Sequence, residues 1–201
     1  MSEVNKRYAL VIDMDRCTGC QTCVMACKVE HNILKGSGIR MDSNGTNPHN
    51  TGTNTAPGKP TGLAMHYRPI ACMHCESPPC ADACPEDAIY KDIGGIVVLD
   101  QSKCNSCQAC IPACPYQAVF YEPGRDSVFK CDLCSERVKD DFEPFCVVCC
   151  NQDAMYFGDI LDPASRVSQI IAGKSAEPFR AQLKTGPGTH YCPPRPRRDR
   201  G

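Results

Sequence analysis

Apolar residues in this chain come in short runs set far apart. Residues 8–13 (YALVID) form a continuous branched run and predict a strand; residues 95–100 (GIVVLD) predict another. Residues 24–30 predict a short helix. Residues 162–172 (DPASRVSQIIA) predict a longer one, with Asp162 as its cap, Pro163 in the first helical position and Gly173 as its stop. Val167, Ile170 and Ile171 stand three and four apart, so one face of that helix is expected to pack on the remainder. Residues 36–62 are rich in Gly, Asn, Thr and Pro without apolar periodicity. They read as a long loop insertion, either ordered against a partner subunit or flexible. After Gly173 the chain is polar and proline-punctuated. Its last residues, 193–201 (PPRPRRDRG), carry four arginines, suited to an acidic partner or anionic lipid but equally to a solvated tail.

Composition sharpens this picture. Leu, Ile, Val and Phe number 36 of 201 residues, about 18 %, under the roughly 20 % below which independent folding becomes doubtful. Cysteines number 18. Three readings compete for so many: a disulfide scaffold, a zinc protein or an iron–sulfur protein. Residues 1–10 lack the apolar core of a secretory signal, and no stretch reaches the ~18 apolar residues of a membrane span. The chain is therefore expected to carry no targeting signal and no span of its own. Metal–thiolate bonds could replace the missing apolar stabilisation, so the metal-free chain is expected not to fold. The formal charge of -1 counts thiols as neutral, so it would change if they bound metal as thiolates.

Cysteine spacing separates the three readings. Cys104, Cys107, Cys110 and Cys114, followed by Pro115, are spaced C-x2-C-x2-C-x3-C, the bacterial ferredoxin run for a [4Fe–4S] cluster. Cys17, Cys20, Cys23 and Cys27 repeat those intervals. Cys72, Cys75, Cys80 and Cys84 widen the second interval, and Pro85 follows. Cys131, Cys134, Cys146 and Cys150 widen it further. In such runs the first three thiolates serve one cluster and the fourth serves its neighbour. The crossed rule gives Cys17, Cys20, Cys23 and Cys150 for one cluster, and Cys27, Cys131, Cys134 and Cys146 for the second. Cys72, Cys75, Cys80 and Cys114 take the third; Cys84, Cys104, Cys107 and Cys110 take the fourth. Sixteen cysteines fill four sets without remainder.

Internal repetition agrees with this pairing. Residues 84–90 (CPEDAIY), 114–120 (CPYQAVF) and 150–157 (CNQDAMYF) are alike, with Asn151 where proline is expected. The predicted fold is α+β, with two pseudo-symmetric bacterial-ferredoxin-like modules of short strands and helices. Residues 1–35 with 121–160 make one module, 63–120 the other, and 161–201 a helix with an irregular C-terminal extension. Cys149 and Cys192 are left over and read as packing residues. His74, between two predicted ligands, reads as a surface residue or one beside the cluster. His31, His49, His66 and His190 form no metal or triad spacing. Arg16, Lys103 and Lys130 each precede a cysteine group, where a cation would offset cluster charge; ordinary solvated side chains are the alternative. No P-loop, G-x-G-x-x-G, G-x-S-x-G or H-E-x-x-H occurs. The chain is thus expected to have no catalytic site.

The four groups in this order, with the C-x2-C-x4-C-x3-C second group and the widened fourth, resemble the iron–sulfur subunit of molybdopterin oxidoreductases of the dimethyl sulfoxide reductase superfamily, of the polysulfide and thiosulfate reductase type. Residues 156–165 (YFGDILDPAS) and 191–194 (YCPP) resemble two further segments of that family. The resemblance implies an electron-transfer subunit of anaerobic respiration. Its partners would be a large catalytic subunit carrying a molybdenum or tungsten bis-pterin and often a quinone-reactive membrane anchor. It further implies that the Cys17 set lies nearest the catalytic subunit, with the Cys27, Cys72 and Cys84 sets following in line. Some relatives hold a three-iron cluster where tryptophan replaces the second cysteine of the third group; Cys107 favours four irons. A cytoplasmic location peripheral to the membrane is expected, or a periplasmic one by co-export with a twin-arginine-bearing partner. A free-standing soluble polyferredoxin remains the alternative function, and a zinc-bound interaction module a third.

Overall fold

The run YALVID forms β1 (Tyr8–Asp13), a strand buried along both faces, in the computed structural model of the chain, which describes residues 6–43 and 66–194. A strand with no solvent face needs apolar residues at consecutive positions, which explains the unbroken run. Leu10 and Ile12 point into the main core beside Cys23, Cys72 and Cys146. Val11 points the other way, onto Tyr156, Val167 and Cys192.

Along the chain follow α1 (Thr22–Glu30), β2 (Arg40–Ser43), β3 (Tyr67–Ile70), α2 (Pro79–Asp82), β4 (Ile89–Lys91), β5 (Val97–Leu99), α3 (Cys110–Ala113), β6 (Val119–Glu122) and β7 (Ser127–Lys130). The remaining elements are α4 (Ser135–Lys139), α5 (Phe145–Val148), β8 (Met155–Asp159), α6 (Arg166–Lys174), β9 (Glu177–Pro178) and β10 (Thr189–Cys192). One four-stranded sheet has the order β8-β1-β10-β9, and three two-stranded pairs are β2/β3, β4/β5 and β6/β7. β1 runs antiparallel to β8 and parallel to β10. The mixture of short helices and strands is α+β. Helix α1 packs on α5, and α2 on α3, so the first cysteine group meets the fourth and the second meets the third.

Several elements differ from the sequence expectation, each for a local reason. The helix expected at 162–172 starts at Arg166. The Asp162 carboxylate instead accepts the N–H of Ala164 in a tight turn, and Ser165 is the cap, its hydroxyl accepting the Ser168 N–H at 3.2 Å. Gly173 lies inside the helix, which ends at Lys174 with Ser175 in the left-handed conformation. The expected strand at 95–100 shrinks to Val97–Leu99 because a 3-10 turn at Ile93–Gly95 precedes it. The short helix begins at Thr22 rather than residue 24. Within the expected loop at 36–62, residues 40–43 are a strand paired with β3; the rest, from residue 44, lies outside the described residues. The apolar face of α6 does pack as its spacing predicts, with Val167 fully buried and Ile170 and Ile171 partly so.

The C-terminal extension departs furthest. It supplies β10, which inserts between β1 and β9. It also reaches the second cysteine group, where the Gly188 N–H donates to the Met73 carbonyl and the Thr189 hydroxyl to that of Cys72. The buried Tyr191 hydroxyl donates to the Pro69 carbonyl at 2.9 Å. One strand thus ties the two halves together. The arginines of 193–201 lie outside the described residues.

Tyr191→Phe is expected to leave the Pro69 carbonyl buried without that partner and to destabilise the fold by about 1–3 kcal/mol. A guanidinium titration of the metal-loaded chain reads this as a lowered midpoint. Removal of the metal is expected to abolish the cooperative transition and most far-UV circular dichroism; a sharp transition in the metal-free chain would contradict this.

Candidate metal centres

Each cysteine group is built by the same backbone device. In all four C-x-x-C loops the residue just before the second cysteine adopts a positive φ: Gly19 at 71°, His74 at 43°, Ser106 at 59° and Leu133 at 53°. A left-handed residue there curls the loop so that successive thiols converge, a conformation that is strained for a leucine. At Gly19 a Cβ would also come within 2.4 Å of the Tyr67 ring. After the closing cysteine of three groups a second left-handed residue recurs: Asp87, Gln117 and Asp153. Two of these turns aim an amide back at sulfur. Ala118 N–H donates to Cys114 Sγ at 3.4 Å, and Ala154 N–H to Cys150 Sγ at 3.3 Å. The similar heptads that begin at Cys84, Cys114 and Cys150 therefore share one left-handed turn.

The thiols gather in four places. Cys17, Cys20, Cys23 and Cys150 line one cavity, with Thr18, Gln21 and Met155. Cys72, Cys75, Cys80 and Cys114 line another beneath Pro78, Pro79 and Val97. Cys84, Cys104, Cys107 and Cys110 line a third with Ile89 and Val128. Cys27, Cys131, Cys134 and Cys146 are close enough to one another for electrostatic repulsion between their thiolates. The same interaction reaches from Cys146 to Cys23 and from Cys131 to Cys72, so this group adjoins the first two. Cys149 closes helix α5 half-exposed, outside the cavity that Cys150 lines. Cys192 is buried in β10 with Val11 and Val167.

Burial governs the chemistry of these thiols. It pushes Cys23, Cys80 and Cys134 up to about 12, with neighbouring thiolates pushing in the same direction. Cys75 and Cys110 rise to about 11 for the same reasons. Such thiols cannot ionise together unless a cation compensates them, the condition of an all-thiolate metal site. Sulfur-only sets of four suit iron–sulfur clusters and also structural zinc. His31 Nε2 lies 3.5 Å from Cys134 Sγ and 3.6 Å from the Asp132 carboxylate; this trio is the edge of the Cys27 group, a contact that sequence spacing does not reveal.

The residues beside the thiols divide by burial. His74 is buried, contrary to the surface position that was one of its two sequence readings. Its Nδ1 accepts the Val97 N–H at 3.0 Å, while Nε2 has no hydrogen-bond partner among the described residues. Burial, reinforced by the Lys130 charge, holds its imidazole neutral. Arg16 is partly exposed and pairs with Asp153 at 3.4 Å. Lys103 lies 5.7 Å from the Tyr90 ring centroid. Lys130 alone of the three is buried, its ammonium donating to the Val97 and Cys131 carbonyls.

Comparison with known proteins decides between zinc and iron–sulfur. Residues 63–160 match a 4Fe-4S dicluster domain family, and residues 16–89 match a second family of the same description. The chain is 38 % identical to a candidate iron–sulfur subunit of dimethyl sulfoxide reductase from Halobacterium salinarum, over 92 % of this chain and 78 % of that protein. It is 37 % identical to a sulfite dehydrogenase subunit of Allochromatium vinosum, over 94 % and 84 %. To a polysulfide reductase subunit of Wolinella succinogenes it is 34 % identical, over 94 % and 95 %. No helix among the described residues is long and apolar enough to cross a membrane. By its domains and its relatives together, the chain therefore belongs to the iron–sulfur electron-transfer subunits of the dimethyl sulfoxide reductase superfamily.

Proposed function

We propose that the chain relays single electrons through four [4Fe–4S] clusters, from a catalytic subunit to a second redox partner or in reverse. The observation that carries this reading is the gradient of exposure across the four thiol groups. Cys20 and Cys107, in the first and last groups, are exposed, whereas neither inner group has an exposed thiol. Electrons can reach a relay of this kind at its two ends, and the protein insulates its middle.

The ligands are Cys17, Cys20, Cys23 and Cys150 for the first cluster, and Cys27, Cys131, Cys134 and Cys146 for the second. Cys72, Cys75, Cys80 and Cys114 hold the third; Cys84, Cys104, Cys107 and Cys110 hold the fourth. Cross-ligation follows from the helices. α1 carries Cys23 with Cys27 next but three, and α3 joins Cys110 to Cys114. At about 1.5 Å per residue, four residues of helix set two thiols roughly 6 Å apart along its axis. Each helix therefore links neighbouring clusters at a short electron-transfer distance. Residues 1–35 with 121–160 act as one module and 63–120 as the other, an arrangement supported by the packing of α1 on α5 and of α2 on α3.

The clusters supply reversible one-electron chemistry, with potentials set by charge, hydrogen bonds to sulfur and solvent exposure. The chain's own residues fix the thiolates, donate amides to sulfur and exclude water from the inner pair. The partner at the Cys17 end is a large subunit carrying a molybdenum or tungsten bis-pterin, on the pattern of the relatives named as subunits of reductase and dehydrogenase complexes. At the Cys84 end the partner is a quinone-linked membrane subunit or another redox protein. The chain itself is peripheral to the membrane, on the cytoplasmic side or, if co-exported with a twin-arginine-bearing partner, the periplasmic side.

Anaerobically reconstituted chain is expected to be brown and to contain sixteen iron atoms per polypeptide. A colourless protein with stoichiometric zinc would overturn the reading. Native mass spectrometry of the complex purified from its source is expected to find a large pterin-containing subunit in association; a chain that isolates alone with full iron would instead be a free-standing polyferredoxin.

A further inference from the structure

The seam between the two inner thiol groups holds a feature that cluster ligation does not require. Lys130 ends β7 and is 9 % exposed. Its ammonium donates to the Cys131 carbonyl at 2.8 Å and to the Val97 carbonyl. None of the ion pairs among the described residues includes it. It is also the only buried cationic side chain among those residues. An ammonium in this position is costly to strip of water unless negative charge nearby compensates it. Two carbonyls supply hydrogen bonds but no net charge.

The thiols supply the charge. Val97, whose carbonyl Lys130 holds, lines the cavity of Cys72, Cys75, Cys80 and Cys114. Lys130 interacts electrostatically with Cys80, one of the thiols of that cavity, and its own backbone leads directly into Cys131 of the adjoining group. His74 completes the bridge from the other side. It sits inside the Cys72–Cys75 loop and accepts the N–H of the same Val97. With Nδ1 an acceptor and the ring neutral, the proton is on Nε2, a buried donor without a partner among the described residues. A buried positive charge and a buried N–H donor thus flank Val97, which lines the cavity of the Cys72 group.

We infer that Lys130 is a positioning residue for electron flow, a fixed internal cation that raises the reduction potential of the cluster held by Cys72, Cys75, Cys80 and Cys114 above what burial alone would give. The inference rests on the four-cluster reading above. One-electron reduction of an all-cysteinyl [4Fe–4S] cluster adds one negative charge and no proton; the electron comes from the adjoining cluster. Lys130 stabilises the reduced form more than the oxidised one because attraction grows with the charge it faces. Burial without such a cation has the opposite effect, since low dielectric penalises the more highly charged state.

The test is a redox titration, followed by electron paramagnetic resonance, of the reconstituted full-length chain and of Lys130→Met, Lys130→Gln and Lys130→Arg. Cys80→Ser identifies the signal belonging to the Cys72 group. With sixteen irons retained, the two neutral variants are expected to move that midpoint to a more negative potential and leave the Cys17 group's unchanged. Lys130→Arg is expected to stay near the unaltered value. An unshifted midpoint in a fully loaded neutral variant overturns the inference, as does an equal shift in every cluster. Loss of iron from both neutral variants also overturns it, because the side chain would then be a structural plug. Fewer than sixteen irons in the unaltered chain would instead fail the four-cluster reading, while the effect of Lys130 on the Cys72 signal would still be measurable.

Discussion

Everything in this fold follows from placing thiols that must ionise where water cannot solvate their anions. The main core interleaves Leu10, Ile12 and Ile70 with Cys23, Cys72, Cys75 and Cys146, and the second core places Cys80 and Cys110 among Val97, Val119 and Val128. Burial raises Cys23, Cys75, Cys80, Cys110 and Cys146 far above neutral pH, and neighbouring thiolates push them in the same direction. The assembly is consistent only when a polycationic group joins the thiolates. Aliphatic residues are scarce because metal–thiolate bonds occupy the volume and supply the cohesion that leucine and isoleucine provide elsewhere.

Short helices turn that local requirement into a directional structure. α1, α2, α3 and α5 are each at most nine residues long. None would be stable in isolation. Each carries a cysteine at its first or second position and meets a cysteine of the adjoining group four residues on, so the helix works as a spacer. The left-handed residues before each second cysteine have the same dependence. Leu133 and His74 accept an unfavourable φ because the thiols on either side are fixed. β10 adds the remaining constraint by pairing with β1 in one half and bonding to the Cys72 loop in the other.

The sequence made the chemistry legible and left much of the geometry hidden. Spacing alone grouped the sixteen cysteines as the cavities and mutual repulsions of the structure group them, because C-x-x-C and C-x3-C are local rules that tertiary context hardly alters. β1 was equally plain, since burial on two faces demands an unbroken apolar run. β10 was not: THYC contains one aromatic and no aliphatic residue, and its place depends on hydrogen bonds to residues 117 and 122 positions away. Pro163 suggested a helix start, but an Asp162 side chain free to accept a nearer amide ended the contest in favour of a turn. The positive φ values left no trace in sequence, because only one of the four positions is glycine.

Arg16, Lys103 and Lys130 make the limit of sequence reasoning concrete. Each stands immediately before a cysteine group, and periodicity gives them one meaning. Exposure gives them three. Arg16 is bound to the Asp153 carboxylate and Lys103 lies over an aromatic ring, both within reach of water that screens their charge. Lys130 has neither screen nor counter-ion. In the four-cluster relay proposed above, the outer groups, with Cys20 and Cys107 exposed, would draw on solvent to stabilise an added electron, and the inner groups would not. A relay whose middle were simply insulated would place an electrostatic barrier between its two ends. In the proposed relay, an internal cation at the seam would keep the middle dry and still let an electron through.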